Sequence, residues 1–300
     1  MFGKLFGRRS QTESPHTEAD SDHQPLEPTN GLQSNMVWLL YELPPEVDAQ
    51  ILLTELRNRC GKVERIGDQP NLFAFAMLDH ILHVGDGKVP AQVVLSFPEQ
   101  GQDTLDLTEA LQQSWKWRDA EETVKQCKVK VAFFDLMAFE INYQNRLALF
   151  HAALESVLMV APCQAIYWVE SQQIINPSDY LSARRASEFH PLEFALNLRF
   201  FNIPNEAHSE FVVDTVGLNI CGLPDLQCHF LDLDPNAVGR KLYQTAFYLY
   251  EKGDIIRDGN TISGLKLGSK WKCQHESSLV KPDRIVIDVN PGKPHAAGNR

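Results

Sequence analysis

Three hundred residues with 43% hydrophobic content carry enough apolar surface for a substantial core, which excludes a wholly disordered chain and leaves one large domain or two small ones. A net charge of −11, from 39 acidic and 28 basic residues, argues against a nucleic-acid partner, because neutralising phosphate needs a basic face. The longest apolar stretch, residues 147–162, is broken by His151, Glu155 and Ser156 and falls short of the roughly 20 residues of a bilayer span, so no transmembrane helix is expected.

Residues 1–9 combine Phe2, Leu5 and Phe6 with Lys4, Arg8 and Arg9, a small amphipathic set able to touch a membrane surface or a partner groove. Two glycines oppose a helix there, so a frayed end is the simpler reading, and no apolar run of a secretory signal follows. Residues 10–35 hold Glu13, Glu18, Asp20, Asp22 and Glu27 with no Lys or Arg, which predicts a disordered acidic leader over 1–35.

The body opens with a strand over 37–43, stopped by Pro44 and Pro45, followed by Val47, Ile51, Leu52 and Leu56 at helical spacing up to Gly61. Apolar runs at 72–78, 81–84 and 91–97, with a Gly85-Asp86-Gly87 turn, predict meandering antiparallel strands. Helices near 107–113 and 119–127 come next, then a strand over 129–134, a mostly buried helix over 144–160 and a strand over 165–170. Two more strands are expected over 192–201 and 210–215. The clearest element is a helix capped by Asp234 with Pro235 in its first turn, an inward stripe of Val238, Leu242, Ala246 and Leu249, and Gly253 as its stop. Clustered strands favour an α+β domain over 36–290 with antiparallel or mixed sheets. The order strand, helix, strands, helix recurs, which leaves two halves, 36–127 and 128–290, as the alternative organisation; residues 291–300, rich in Pro and Gly, read as a loose tail.

The stretch 242–253, followed by Asp254-Ile255-Ile256-Arg257-Asp258-Gly259-Asn260-Thr261-Ile262, resembles the end of a bacterial family called domain of unknown function 4261. Three further blocks, at 115–121, 166–168 and 217–226, look like the same family in the same order. Asn260 and Ser263 depart from the family pattern, which has aspartate and glycine there, and this argues against an essential second carboxylate in that turn. The resemblance implies bacterial origin and a shared fold; the family has no established activity to carry over.

Chemistry-bearing motifs are sparse. Six cysteines lack short metal-ligand spacing and sit mostly in apolar runs, as reduced thiols of a cytoplasmic protein would. His80 and His83, three apart on a strand, would point to opposite faces and cannot share an ion. Asp232, Asp234, Asp254 and Asp258 bracket the last helix, where capping and turn roles explain them. No nucleophile elbow, phosphate loop or dinucleotide fingerprint is present, so no catalytic residue, metal or cofactor is assigned and the balance leans away from an enzyme. Binding candidates are the aromatic residues Trp115, Trp117, Tyr167 and Trp168 and the polar turn Arg257, Asp258, Asn260 and Thr261. Trp115 and Trp117 on an extended segment would share one face and form one wall of a groove, with the turn as the other. The expectation is a module that binds another protein, of accessory or immunity type; the alternative is an enzyme or small-ligand binder with a pocket near Trp115, Trp117 and Arg257.

Overall fold

A computed structural model describes residues 34–298 apart from 68, 70 and 99–104. Residues 1–33 of the leader expected over 1–35, with the amphipathic set at 1–9, lie outside the described residues. Asn35, assigned to that leader, is buried and hydrogen-bonded to Asp135, so the folded body includes it.

The first sheet contains β1 (Met36–Tyr41), β2 (Val63–Ile66), β3 (Leu72–Val84), β4 (Gly87–Ser96), β5 (Val129–Leu136), β6 (Ala165–Trp168) and β7 (Gln173–Ile175). Its order is β2-β3-β4-β5-β1-β6-β7, and every neighbouring pair is antiparallel. The runs 72–78 and 81–84 form one strand, irregular between Met77 and Ile81, rather than two. Alternation along β1 sends Val37, Leu39 and Tyr41 into a cluster with Leu52 and Leu56 of α1 (Ala49–Cys60) and Leu154 of α4 (Tyr143–Val160). Leu40 joins the opposite face, with Ala165 and Tyr167 under α2 (Thr108–Gln112) and α3 (Ala120–Gln126).

The second sheet contains β8 (Asn197–Ile203), β9 (Glu210–Val216), β10 (Asp225–Leu231), β11 (Thr261–Ser263), β12 (Lys270–Ser277) and β13 (Ile285–Asn290), in the order β11-β12-β13-β10-β9-β8. Only β10 and β13 run parallel, so the architecture is α+β with one antiparallel and one mixed sheet. The helix α6 (Pro235–Lys252) packs on β8, β9 and β10, with Asp234 accepting from Asn236 N and Gly253 closing its end at φ 83°. Its stripe Val238, Leu242, Ala246 and Leu249 is fully buried, as the sequence pattern predicts. One buried cluster joins both sheets through α4 and α6.

Several elements differ from the sequence reading. The break between sheets falls between Ile175 and Asn197, not at 127/128: β5 is hydrogen-bonded between β4 and β1 and completes the first sheet. The apolar residues Leu192, Ala195 and Leu196 are buried in turns instead of a strand, with Leu196 N bonded to Leu192 O. A helix α5 (Pro177–Arg185), capped by Asn176, precedes them. The tail is docked up to residue 298. β13 pairs with β10 only at residues 225–227, so the chain reverses after Asn290 and pairs Ala296 with Phe230, while Leu231 N donates to His295 O.

Candidate functional site

The start of β1, the end of β5 and the turn after β6 face a short 3-10 turn, Leu218–Cys221, and the loop before β13. Between them lies a cleft of about 550 Å³. Met36 and Phe134, direct partners in the β1–β5 ladder, lie side by side in its wall, and Leu136, Val169 and Pro282 extend the apolar surface. Ser34, Glu170, Gln172 and Asn219 supply the polar groups.

Local geometry places these groups. Val169 N bonds to Met36 O, which continues the β1–β6 pairing by one residue, and Met36 N then donates to Glu170 Oε2 at 3.3 Å. The chain turns back with Gln172 N bonded to Val169 O and Gln172 at φ 50°, and Gln172 Oε1 accepts from Arg199 Nη1 at 2.9 Å. Burial pushes the Glu170 carboxyl up to about 8; the Asp135 carboxylate adds to this, while the Met36 N–H and the Arg146 guanidinium oppose it. At neutral pH Glu170 is therefore mostly a carboxylic acid, a hydrogen-bond donor in a largely apolar hollow.

Two buried ionic networks back the cleft. Behind β1 and β5, Arg146 donates from Nε and Nη2 to the two oxygens of Asp135 at 2.8 and 2.7 Å, and Asn35 donates to the same carboxylate from its backbone N and Nδ2. Behind Gln172, Arg199 forms a two-bond pair with Asp214, which also accepts from Arg284 Nη2 at 2.7 Å. Arg284 Nε donates to Asp225, and Arg284 Nη1 donates to Pro282 O at 2.8 Å in the cleft wall. A smaller hollow of about 280 Å³ beside Tyr41 and Gln164 is less suited to a ligand, because Tyr41 Oη already donates to Ala161 O and Gln164 Oε1 accepts from Glu42 N.

The residues singled out in the sequence lie elsewhere and are not brought together. Residues 114–119 form turns rather than an extended segment, so the two rings of the Trp115-Lys116-Trp117 block part. Trp115 is 57% exposed and sits edge-on to Phe200 at 6.2 Å, whereas Trp117 packs on the cluster of Leu40, Ala120 and Tyr167. Tyr167 and Trp168 point to opposite faces of β6, both buried. Phe200 is on β8 and the turn Arg257, Asp258, Asn260 and Thr261 leads into β11, the other edge of the same sheet. Five strand spacings, about 24 Å, separate those edges, so the tryptophan pair and the turn are not two walls of one groove. The turn satisfies itself: Asn260 Oδ1 accepts from Arg257 N, and Asp258 Oδ1 accepts from His275 N and pairs with His275 Nδ1. Glu170 and Asn219 lie inside segments the sequence reading marked, yet no local pattern distinguishes them; the only hint is a carboxyl ending the apolar run of β6.

Among the described residues no three His, Cys, Asp or Glu side chains are grouped to hold a metal ion. The six cysteines are unpaired, and burial pushes the thiols of Cys60, Cys163 and Cys221 up to about 12, which leaves them unreactive. No helix among the described residues is long and apolar enough to cross a membrane.

Fold and cleft together define an α+β protein of two sheets with a ligand-sized hollow at their junction. Residues 214–290, from β9 through β13, match the family described as Domain of unknown function (DUF4261), and the resemblance read from the sequence holds over that segment. Asn219 and Pro282 of the cleft fall inside it, while the blocks at 115–121 and 166–168 lie before it. Neither the curated proteins nor the solved structures gave a match.

Proposed function

We propose that the protein binds a small, mostly apolar molecule in the inter-sheet cleft, with its hydrogen-bonding end at Glu170. The observation that carries this reading is the convergence of Glu170, Gln172 and Asn219 on an apolar hollow of about 550 Å³, within the size range of ligand sites. Among the described residues that line the cleft Glu170 is the one titratable side chain, which favours binding over catalysis. Saturation-transfer NMR against a fragment library of small neutral and basic molecules tests it, with the filling variant Leu136→Trp as control. Fragments that bind the parent and lose contact in the variant support the reading; fragments that bind both equally, or none at all, sink it.

A second reading, an accessory or immunity-type module that docks another protein, is favoured by Trp115. Its exposed ring rests on Phe200 with Lys116 Nζ 5.2 Å above it, an aromatic of the kind that anchors interfaces. Capture from native bacterial lysate with Trp115→Ala as control tests it, and a partner profile unchanged by the substitution counts against it. Both readings place the protein in a reducing cytoplasm, in keeping with its unpaired cysteines.

A further inference from the structure

We propose that the β11–β12 hairpin is a membrane-surface contact, which seats its two tip leucines among the acyl chains of an anionic bilayer. Leu267 is fully exposed and Leu265 is 37% exposed, on either side of the exposed Lys266. Solvent-facing leucines on a floppy loop would mean little, but this tip is locked. Gly264 N bonds to Ser269 O, Ser269 N to Lys266 O, Lys266 N to Ser269 Oγ, and Ser269 Oγ donates back to Lys266 O at 2.6 Å. At the base, Trp271 is 4% exposed and anchors the hairpin in the core. Bonds at residues 264, 266 and 269 thus shape the turn, and both leucine side chains are exposed on it.

The charge around the tip is opposite to that of the chain. Residues 261–273 contain Lys266, Lys270 and Lys272 and no acidic residue, in a protein of net charge −11. Lys270 and Lys272 alternate with the buried Trp271 and Cys273, so both lysines share the exposed face of β12. Lys241 reaches the same edge, with Nζ donating to Ser263 Oγ at 3.2 Å. The nearest carboxylates in sequence lie at the base of the hairpin: Asp258 is engaged by His275, Asp254 by Arg257, and Glu276 stands on the lysine face of β12 four residues beyond Lys272, at the end away from the tip. A lipid surface fits this arrangement better than a protein does. The tip is convex and aliphatic, without the aromatic and arginine anchors of protein interfaces, while lysine stems beside leucines suit the headgroup layer. With Lys266, Lys270 and Lys272 near the surface, each adds to attraction for anionic headgroups.

Sedimentation of the full chain with phosphatidylcholine vesicles, with and without phosphatidylglycerol, tests the proposal. Binding is expected only to the anionic vesicles and is expected to weaken at high salt. The Leu265→Ser/Leu267→Ser variant should bind about tenfold more weakly, and Lys266→Gln/Lys270→Gln/Lys272→Gln should lose about fivefold for each lysine. Both variants change exposed side chains, so a far-ultraviolet melt equal to the parent's confirms that they fold. Absence of binding overturns the proposal. So does binding that neither variant changes, which would place the contact elsewhere, residues 1–9 included, and so does salt-sensitive binding indifferent to the leucines, which would indicate a general preference for acidic surfaces.

Discussion

Replacing Glu170 by Gln should stabilise the protein at neutral pH. The glutamine keeps the shape of the protonated acid and can still accept from Met36 N, but it has no charge to bury. In the unfolded chain the carboxyl ionises near 4.5, and in the fold only near 8. Between those values the unfolded state gives up the proton and the folded state retains it, so each pH unit removes about 1.4 kcal/mol of stability. The contribution is therefore intact below about pH 4.5, falls as pH rises, and levels off above about 8. At pH 7 the difference comes to about 3 kcal/mol, and because part of the side chain remains open to the cleft, solvent screening lowers it to about 2 kcal/mol. For a chain of this size that corresponds to a rise in melting temperature of about 4–8 °C. Thermal and urea melts of the parent and Glu170→Gln from pH 4 to pH 9 measure it. A difference near zero at pH 4 that grows towards pH 8 supports the reasoning. A variant less stable than the parent at pH 7, or a gap that does not vary with pH, would show that Glu170 is an ionised partner of Arg146 and refute it.

Three further outcomes follow from buried groups. His151, wholly buried between Tyr180 Oη and Pro191 O, is held neutral by burial with its pKa near 3, so the unfolded state takes up a proton below about 6.5 that the fold refuses; lowering pH from 7 to 5 should cost about 2 kcal/mol in urea melts, read in the Glu170→Gln background, where the opposing titration is gone. Arg284 pairs with buried Asp225 and shares Asp214 with Arg199, so Arg284→Met should leave Asp225 without its cation and cost about 3–5 kcal/mol in urea unfolding; a loss below about 1 kcal/mol would contradict this. Gly217 has φ 131° and a side chain there would land on the Ala195 carbonyl oxygen, so Gly217→Ala should lose more than about 2 kcal/mol by the same measurement.

How much of this was legible in the sequence depended on where the polar residues lie. α6 was readable because cap, proline, stripe and stop agree, and β3, β4 and β5 because their apolar runs are long. β10 and β13 were missed because Asp225, Gln227 and Asp288 occupy buried strand positions that read as surface. They are tolerated because partners from distant strands meet them: Arg284 for Asp225, and Gln227 Nε2 for Asp288. The cleft was hidden for a related reason. Its polar groups come from residues 34, 170, 172 and 219, and only the sheet order, with β1 between β5 and β6, brings the first three to one end of the same sheet. The tryptophan block misled because an alternation argument holds for a strand, and the chain there is turned.

The placement of the ionic networks bears on how the cleft works. Buried ion pairs add little stability over well-packed apolar groups, because desolvating the charges offsets their attraction. Here both stand directly behind cleft walls: Arg146–Asp135–Asn35 ties the start of β1 to the end of β5, and Arg199–Asp214–Arg284 ties Gln172 to Pro282 across the two sheets. Bidentate guanidinium–carboxylate geometry fixes direction as well as distance, which apolar packing does not. Under the proposed binding role, walls held this way would lose little further freedom on ligand entry, so the ordering cost of binding would be met in folding. Glu170 fits the same logic. It lowers stability at neutral pH, and Met36 N and the turn over residues 169–172 hold it in the lining of the cleft, where the proposed ligand would share its proton.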